Sequence, residues 1–146
     1  MSDAVPFQFL RLDHVVLRAR NADALTRFYC DVLGCQRERE VPEVGLIQLR
    51  AGESLIDIVD AAGRLGRTGG APPAADTGHN VDHVCLRVAP FDPDAITGHL
   101  QRHGLEPSEV RQVYGAEGFG PSIYLDDPEG NTVELKGPAA GEAAGS

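Results

Sequence analysis

Two histidines occupy equivalent places in a motif that the sequence contains twice. Residues 12–18 read LDHVVLR and residues 81–87 read VDHVCLR, so five of seven positions are identical. Both copies alternate in the way that strands do, which places His14 and His83 at the start of a strand in each half. A single histidine at such a place is usually structural or exposed. Its duplication instead favours a shared chemical role for the pair.

A carboxylate recurs late in each half in the same fashion. Asp57 lies within the run Leu-Ile-Asp-Ile-Val and Glu134 within Thr-Val-Glu-Leu-Lys. Strand side chains alternate between faces, so each carboxylate is expected opposite an apolar face. Imidazole nitrogens and carboxylate oxygens together suit Zn, Ni, Co, Mn or Fe as divalent ions. The sequence therefore predicts one divalent metal site, and its predicted ligands are His14, His83, Glu134 and Asp57.

Helical and strand patterns follow each copy of the motif in the same order. In the first half, apolar residues at helical spacing run up to Gly34, a typical C-terminal cap. In the second, Asp92 and Pro93 indicate a helix start, and Gly104 its end. The strands are predicted near residues 10–18, 36–41, 44–50, 54–59, 81–89, 106–112, 121–126 and 131–136.

This order is β-α-β-β-β, twice, and it predicts an α+β fold. Neither half can bury a sheet alone, so the two modules are expected to pair into one curved mixed sheet, a cup with helices outside. Module 1 covers about residues 10–60 and module 2 about 81–137, within a single domain of residues 1–146. The Gly-, Pro- and Ala-rich segment 61–80 is predicted as a linker, and 138–146 as a disordered tail.

Composition excludes several classes of partner. The formal net charge is −9, from 22 acidic and 13 basic residues without basic runs. Nucleic acid and anionic membranes are therefore not expected partners. No apolar stretch reaches the roughly 18 residues of a membrane span, and the first residues do not resemble a secretory signal. Three cysteines without a CxxC pair indicate reduced thiols in the cytoplasm.

Three segments together resemble the glyoxalase / bleomycin-resistance / dioxygenase (vicinal oxygen chelate) superfamily. They are Asp13–Leu17 (DHVVL), Phe28–Gly34 (FYCDVLG) and Asp126–Leu135 (DDPEGNTVEL). The resemblance covers roughly residues 10–137 and implies that His14, His83 and Glu134 are metal ligands. Asp57 matches a place where glyoxalase I carries Glu or Gln, so the shorter side chain leaves three or four ligands open. The turn Asp127–Gly130 is predicted to be structural.

The resemblance leaves three functions to distinguish, because one fold can carry several chemistries. The first is a metal-dependent lyase or isomerase resembling lactoylglutathione lyase, which acts on a small oxygenated substrate through an enediolate. Glu134, with Asp57 second, would move the proton. The second is an extradiol ring-cleaving dioxygenase with non-haem iron, although Gly115–Glu117 lacks the histidine that this pattern requires. The third is a non-catalytic antibiotic-binding protein.

A few further residues are candidates for a part in the site. Arg18 and Arg87 share strand parity with the histidines and could bind an anionic substrate, or lie on the surface. Tyr124 could line the cup or pack in the core, and the glycine-rich segment 114–120 could form a lid. Surface positions are predicted for His79, His99 and His103, and packing or bystander roles for Cys30, Cys35 and Cys85. Paired modules also predict a homodimer, with the metal site within one chain or shared between two.

Overall fold

A computed structural model describes residues 6, 8–72 and 78–140. Two modules with the predicted βαβββ order contain all of its strands and α-helices. Module 1 contains β1 (His14–Ala19), α1 (Ala22–Arg27), β2 (Gln36–Val41), β3 (Leu46–Ala51) and β4 (Ser54–Asp60). Module 2 contains β5 (His83–Arg87), α2 (Pro93–Arg102), β6 (Arg111–Gly115), β7 (Gly118–Asp126) and β8 (Thr132–Lys136). The α+β class and the duplicated module are confirmed.

Each module forms its own four-stranded mixed sheet. The strand orders are β1-β4-β3-β2 and β5-β8-β7-β6, with β1 parallel to β4 and β5 parallel to β8. Among the described residues no backbone ladder joins the two sheets. Within one chain, the expected curved sheet is therefore made of two separate sheets. The strand β1 lies at an edge of the first sheet and β5 at an edge of the second.

The helices cover one face of each sheet and leave the other face open. Leu17 and Ala19 of β1 are fully buried in a core that includes Leu25 of α1, whereas Val16, which precedes Leu17, is 46% exposed. Residue His14 shares the face of Val16, as strand alternation requires. We call this open face of each sheet, on the side of His14 and Asp57 or of His83 and Glu134, the cup face.

The first helix ends as the sequence predicts. After α1 the chain continues as a π-helical turn over Phe28–Val32, and Gly34 closes it with φ +82°. The ring of Tyr29 is fully buried and meets Phe28 edge to face at 5.3 Å between centroids. The second helix has the predicted cap, because the Asp92 side chain accepts a hydrogen bond from Ala95 N.

The bounds of several strands differ from the sequence prediction; β7, for example, begins at Gly118 and not at residue 121. The strand β1 begins at His14 and not at residue 10, because its partner β4 begins only at Ser54. The strand β5 is likewise shorter than 81–89. Residues 106–110 are irregular: Pro107 has no N–H to donate, and the Ser108 hydroxyl accepts the hydrogen bond from Tyr124 N at 3.0 Å.

The predicted linker and tail are partly packed. A 3-10 turn covers Gly66–Gly69, and a Cβ at Gly66 would lie 1.9 Å from Asp60 O. The prediction of disorder from residue 138 is wrong for 138–140, because Pro138 is buried and Ala140 N donates to Phe119 O. The rest of the tail and residues 73–77 of the linker lie outside the described residues. No helix in the described part of the chain could cross a membrane.

The turn between β7 and β8 joins the modules through two buried carboxylates. Glu129, 4% exposed, accepts hydrogen bonds from Arg20 N at 3.0 Å and Asn21 N at 2.9 Å, at the start of α1. Asp127 accepts one from the Tyr29 hydroxyl at 2.8 Å. Both carboxylates thus hold the first helical segment of module 1 onto module 2. The turn was predicted to be structural through its Pro and Gly, and this attachment was not predicted.

Replacing Glu129 with Gln is expected to loosen this attachment. The amide can accept only one of the two backbone hydrogen bonds, and its NH₂ group would face a buried donor, so we expect about 1–3 kcal/mol less stability. Urea denaturation followed by circular dichroism measures the change. The matched control is Glu53→Gln, in the exposed turn between β3 and β4. Equal stability of both variants would contradict the role of Glu129.

Candidate metal centre

The two histidines have the same environment at the starts of β1 and β5. The Nδ1 atom of His14 lies 2.8 Å from Asp13 Oδ2, and Nδ1 of His83 lies 2.7 Å from Asp82 Oδ1. Both rings are roughly two-fifths exposed on the cup face, at 45% and 40%. A carboxylate on Nδ1 favours the tautomer in which Nε2 carries the lone pair, as in many metal-binding histidines.

The same contact changes the acidity of the first pair. The hydrogen bond from His14 holds the pKa of the Asp13 carboxyl below its usual range. The hydrogen bond to Asp13, and the charge of Asp57 further away, raise the pKa of the His14 imidazole. A metal ion binding at His14 must therefore displace a proton that is held somewhat more tightly than usual.

Glu134 lies on the cup face of β8, next to His83. Its carboxylate is buried, and its Oε1 atom lies 3.3 Å from His83 Nε2. Its Oε2 atom accepts a hydrogen bond from the Ser122 hydroxyl at 2.6 Å. One nitrogen and one carboxylate oxygen of the predicted ligand set are thus brought together in module 2, and Ser122 fixes the orientation of the carboxylate.

Asp57 has the corresponding place in module 1. It is 4% exposed, and its Oδ2 accepts a hydrogen bond from Gln48 Nε2 at 3.1 Å. Its Oδ1 is buried without a hydrogen-bond partner. A buried carboxylate oxygen in this state is costly unless a cation or a donor reaches it. Of the four predicted ligands, Asp57 thus has the clearest unsatisfied atom.

Strand register shows that the two pairs are equivalent. Asp57 lies between Val16 of β1 and Gln48 of β3, as Glu134 lies between Cys85 of β5 and Tyr124 of β7. Within one chain, however, the two pairs do not form one cluster. No group of three or more His, Cys, Asp or Glu side chains in the described ranges is close enough to hold a metal.

Tyr124 and Cys85 flank Glu134 on the cup face. The ring of Tyr124 lies 6.3 Å from that of His83, and desolvation, followed by the nearby Glu134, raises the pKa of its phenol. The same two causes raise the pKa of the Cys85 thiol to about 11. Neither group is therefore a ready anion near neutral pH. Tyr124 takes the predicted cup position rather than a core position.

Two of the remaining predictions need correction. His99 is not a surface residue: it is half-buried, with Nε2 2.7 Å from Val32 O, and so bridges α2 and module 1. Arg18 is not placed to bind an anionic substrate, because its guanidinium donates hydrogen bonds to backbone carbonyls of the linker. His79 and His103 are exposed as predicted, and Cys35 packs in the core.

Four residues of the site were missed by the sequence analysis as functional residues. Asp13 and Asp82 could have been found, since an acidic residue precedes each histidine in both copies of the motif. Ser122 and Gln48 could not. Their contacts depend on which strands are neighbours and in which register, and hydrophobic periodicity does not encode pairing partners.

A cavity of 290 Å³ lies on the cup face of module 2. Its lining includes His83, Glu134, Arg87 and Lys136, together with the turn between β6 and β7. The predicted glycine-rich segment 114–120 is a hairpin that forms one wall of this cavity. The cavity thus adjoins the better assembled half of the predicted ligand set.

The two βαβββ modules, each with one open sheet face, place this chain among the proteins built from paired modules of this kind. Comparison with known families identifies the superfamily. The chain belongs to the Glyoxalase/Bleomycin resistance protein/Dioxygenase superfamily, whose family pattern matches residues 11–135. It is 30% identical over 128 residues to biphenyl-2,3-diol 1,2-dioxygenase 3 of Rhodococcus globerulus. That match covers 86% of this chain and 62% of the relative, so the chain spans about three fifths of the dioxygenase's length.

Solved structures share the fold at lower identity. Virulence protein STM3117 from Salmonella typhimurium superposes with a TM-score of 0.73 at 21% identity, covering 89% of this chain and 98% of the other. Lactoylglutathione lyase from Agrobacterium tumefaciens gives 0.63 at 20% identity, covering 86% and 92%. These likenesses confirm the fold, and the reaction has to be argued from the site.

Proposed function

We propose that this protein is a divalent-metal-dependent enzyme, a lyase or isomerase of the lactoylglutathione-lyase type, acting on a small substrate with neighbouring oxygen atoms. The observation that carries the proposal is the duplicated pair on the cup faces. Each pair consists of one histidine and one buried carboxylate, and an aspartate next to the histidine in the chain contacts its Nδ1 atom.

The donors present fit such an ion. Imidazole nitrogen with carboxylate oxygen suits Zn, Ni, Co, Mn or Fe. The unpartnered Oδ1 of Asp57 is the kind of buried atom that a cation would satisfy. When bound, the ion would polarise a substrate carbonyl and stabilise the negative charge that develops on its oxygen. The proposed ligands are His14, His83, Glu134 and Asp57.

A second copy of the chain would complete the set. One chain presents its ligands as two separated pairs, on two open cup faces. In a homodimer, the cup face of module 1 can meet that of module 2 from the partner. Exposed apolar residues before β1 agree with a covered surface, with Phe9 93%, Leu10 85% and Leu12 88% exposed.

The carboxylates would move the proton. Glu134 Oε1 lies beside His83. Once the bound substrate had displaced it from the ion, it would take a proton from the carbon next to the substrate carbonyl and return it at the neighbouring carbon. Ser122 keeps Glu134 Oε2 occupied and so directs Oε1 toward the reacting carbon. Asp57 Oδ1 is the second candidate for the same transfer.

Ring cleavage is the second candidate function. It is favoured by the identity to the Rhodococcus dioxygenase and by Tyr124, which lies beside His83 and Glu134. Residues 115–117 lie in the hairpin above the cavity and contain no histidine that could serve in this reaction. We therefore place ring cleavage after the lyase or isomerase.

Three free thiols also lead us to propose a reducing, cytoplasmic location.

One pair of assays separates these functions. Metal-loaded protein is incubated without oxygen in deuterium oxide with hemithioacetals and hydroxyketones, and proton NMR follows exchange at the carbon next to the carbonyl. Oxygen uptake with catechols is measured in parallel. We expect exchange without oxygen uptake. Uptake alone would favour ring cleavage, and binding without either reaction would favour a non-catalytic binding protein.

The aspartates that precede the histidines are expected to tune metal affinity. Asp82→Asn keeps the size of the side chain but removes the charge that orients His83, so we expect about 10–100-fold weaker metal binding. Competition with a chromophoric chelator measures the affinity. The control is Asp94→Asn, which changes an exposed residue of α2. An Asp82→Asn affinity equal to that of the control would show that Asp82 does not support the ligand.

A further inference from the structure

The repeated motif ends in an arginine in both modules, but the two arginines have different partners. The guanidinium of Arg18 donates to Gly66 O at 3.1 and 3.0 Å, to Gly70 O at 2.6 Å and to Ala71 O at 3.1 Å. A Cβ on Gly69 would lie 2.5 Å from its Nε. Arg18 therefore holds the linker in place, and we do not expect a ligand to replace these backbone carbonyls as its partners.

Arg87 is paired instead with a side chain from a surface turn. Its Nε donates to Glu117 Oε2 at 2.8 Å, and its Nη2 lies 3.5 Å from Oε1 of the same carboxylate. Its Nη1 donates to Val88 O at 2.7 Å. Glu117 is 51% exposed, between Ala116 and Gly118 at the tip of the β6–β7 hairpin. Because half of the Glu117 side chain is exposed, water and dissolved carboxylates can compete for its place in this ion pair.

Arg87 faces the same 290 Å³ cavity as His83 and Glu134. A second cation, Lys136, lines it as well and is fixed there, since its Nζ donates to Val113 O at 2.6 Å and Gly120 O at 3.3 Å. A guanidinium pairs with planar carboxylates through two parallel hydrogen bonds. The Glu117 carboxylate thus occupies the position that a ligand carboxylate would take.

We infer that Arg87 binds a carboxylate group of the substrate, and that Glu117 occupies this position in the free protein. The substrate class is then a small oxygenated carboxylate, with its neighbouring oxygens toward His83 and Glu134 and its carboxylate on Arg87. The Glu117 side chain is 51% exposed at the tip of the turn, so it can rotate into solvent while the hairpin remains in place. This inference rests on the proposed function for the site.

Two probes of equal shape test the charge requirement: 3,4-dihydroxybenzoate and its neutral amide, 3,4-dihydroxybenzamide. Isothermal titration calorimetry compares them on metal-loaded and metal-free protein. We expect the acid to bind about tenfold more tightly than the amide, as for a charge-assisted hydrogen-bonded pair. In Arg87→Gln the two affinities should become equal. In Glu117→Gln the acid should bind more tightly still, with the amide unchanged.

The control variant is Arg37→Gln, which removes an exposed arginine paired with Glu40 on β2 and should keep the preference for the acid. A preference that survives in Arg87→Gln, or no preference in the wild type, overturns the inference. So does the absence of binding by both probes. Metal content is measured on the same samples, and its loss would overturn the proposed function separately from the carboxylate site.

Discussion

Removing His83 or Glu134 is expected to abolish stoichiometric metal binding. Each chain should hold about one ion after reconstitution, and His83→Ala and Glu134→Ala should each hold almost none, because a vacant position in a small ligand set weakens affinity more than the 10–100-fold of a lost outer partner. His14→Ala is expected to behave in the same way. Mass spectrometry of metal content in untagged protein measures the result.

Two variants make this result specific. His103→Ala removes an exposed histidine away from the cup faces and should keep the metal. Circular dichroism should show that all variants keep the fold. Retained stoichiometric metal in Glu134→Ala would refute that ligand. Asp57→Ala separates the two coordination models, because unchanged affinity would leave three ligands and weaker affinity would support four.

Mixing two inactive variants is expected to restore metal binding. If each site combines His14 and Asp57 of one chain with His83 and Glu134 of another, His14→Ala and His83→Ala homodimers have only defective sites. A heterodimer of the two has one intact site and one doubly defective site. Random exchange of subunits should therefore restore about one quarter of the wild-type metal content.

The outcome depends only on where the ligands come from. The variants are mixed, dissociated at low concentration in mild urea, reassociated and analysed for metal by size-exclusion chromatography with mass spectrometry. Mixing His83→Ala with Glu134→Ala is the control, since both changes lie in module 2 and no combination yields an intact site. A full metal complement in wild-type monomer, or no recovery in the His14/His83 mixture, would contradict a shared site.

Local patterns in the sequence predict the order of the elements and the candidate ligands. Alternation placed His14 and Asp57 on one face of module 1, and His83 and Glu134 on one face of module 2, and the structure has them there. Caps at Asp92 and Gly34 were predicted because a cap is a local interaction between near neighbours in the chain. The superfamily could be predicted because the motifs Asp13–Leu17, Phe28–Gly34 and Asp126–Leu135 follow one another in the order that its members have, and the family pattern over residues 11–135 confirms it.

Which side chains contact each other depends on how the strands and modules pack. Ser122 reaches Glu134 across two neighbouring strands, and Glu129 reaches α1 from the far end of the chain. The two arginines of the repeat could not be distinguished in the sequence, yet one holds the linker and the other faces the cavity. The separation of the ligands into two pairs was equally invisible. Local pattern sets the face on which a side chain lies, whereas strand pairing, register and module packing set its neighbours, because those depend on contacts between residues far apart in the chain.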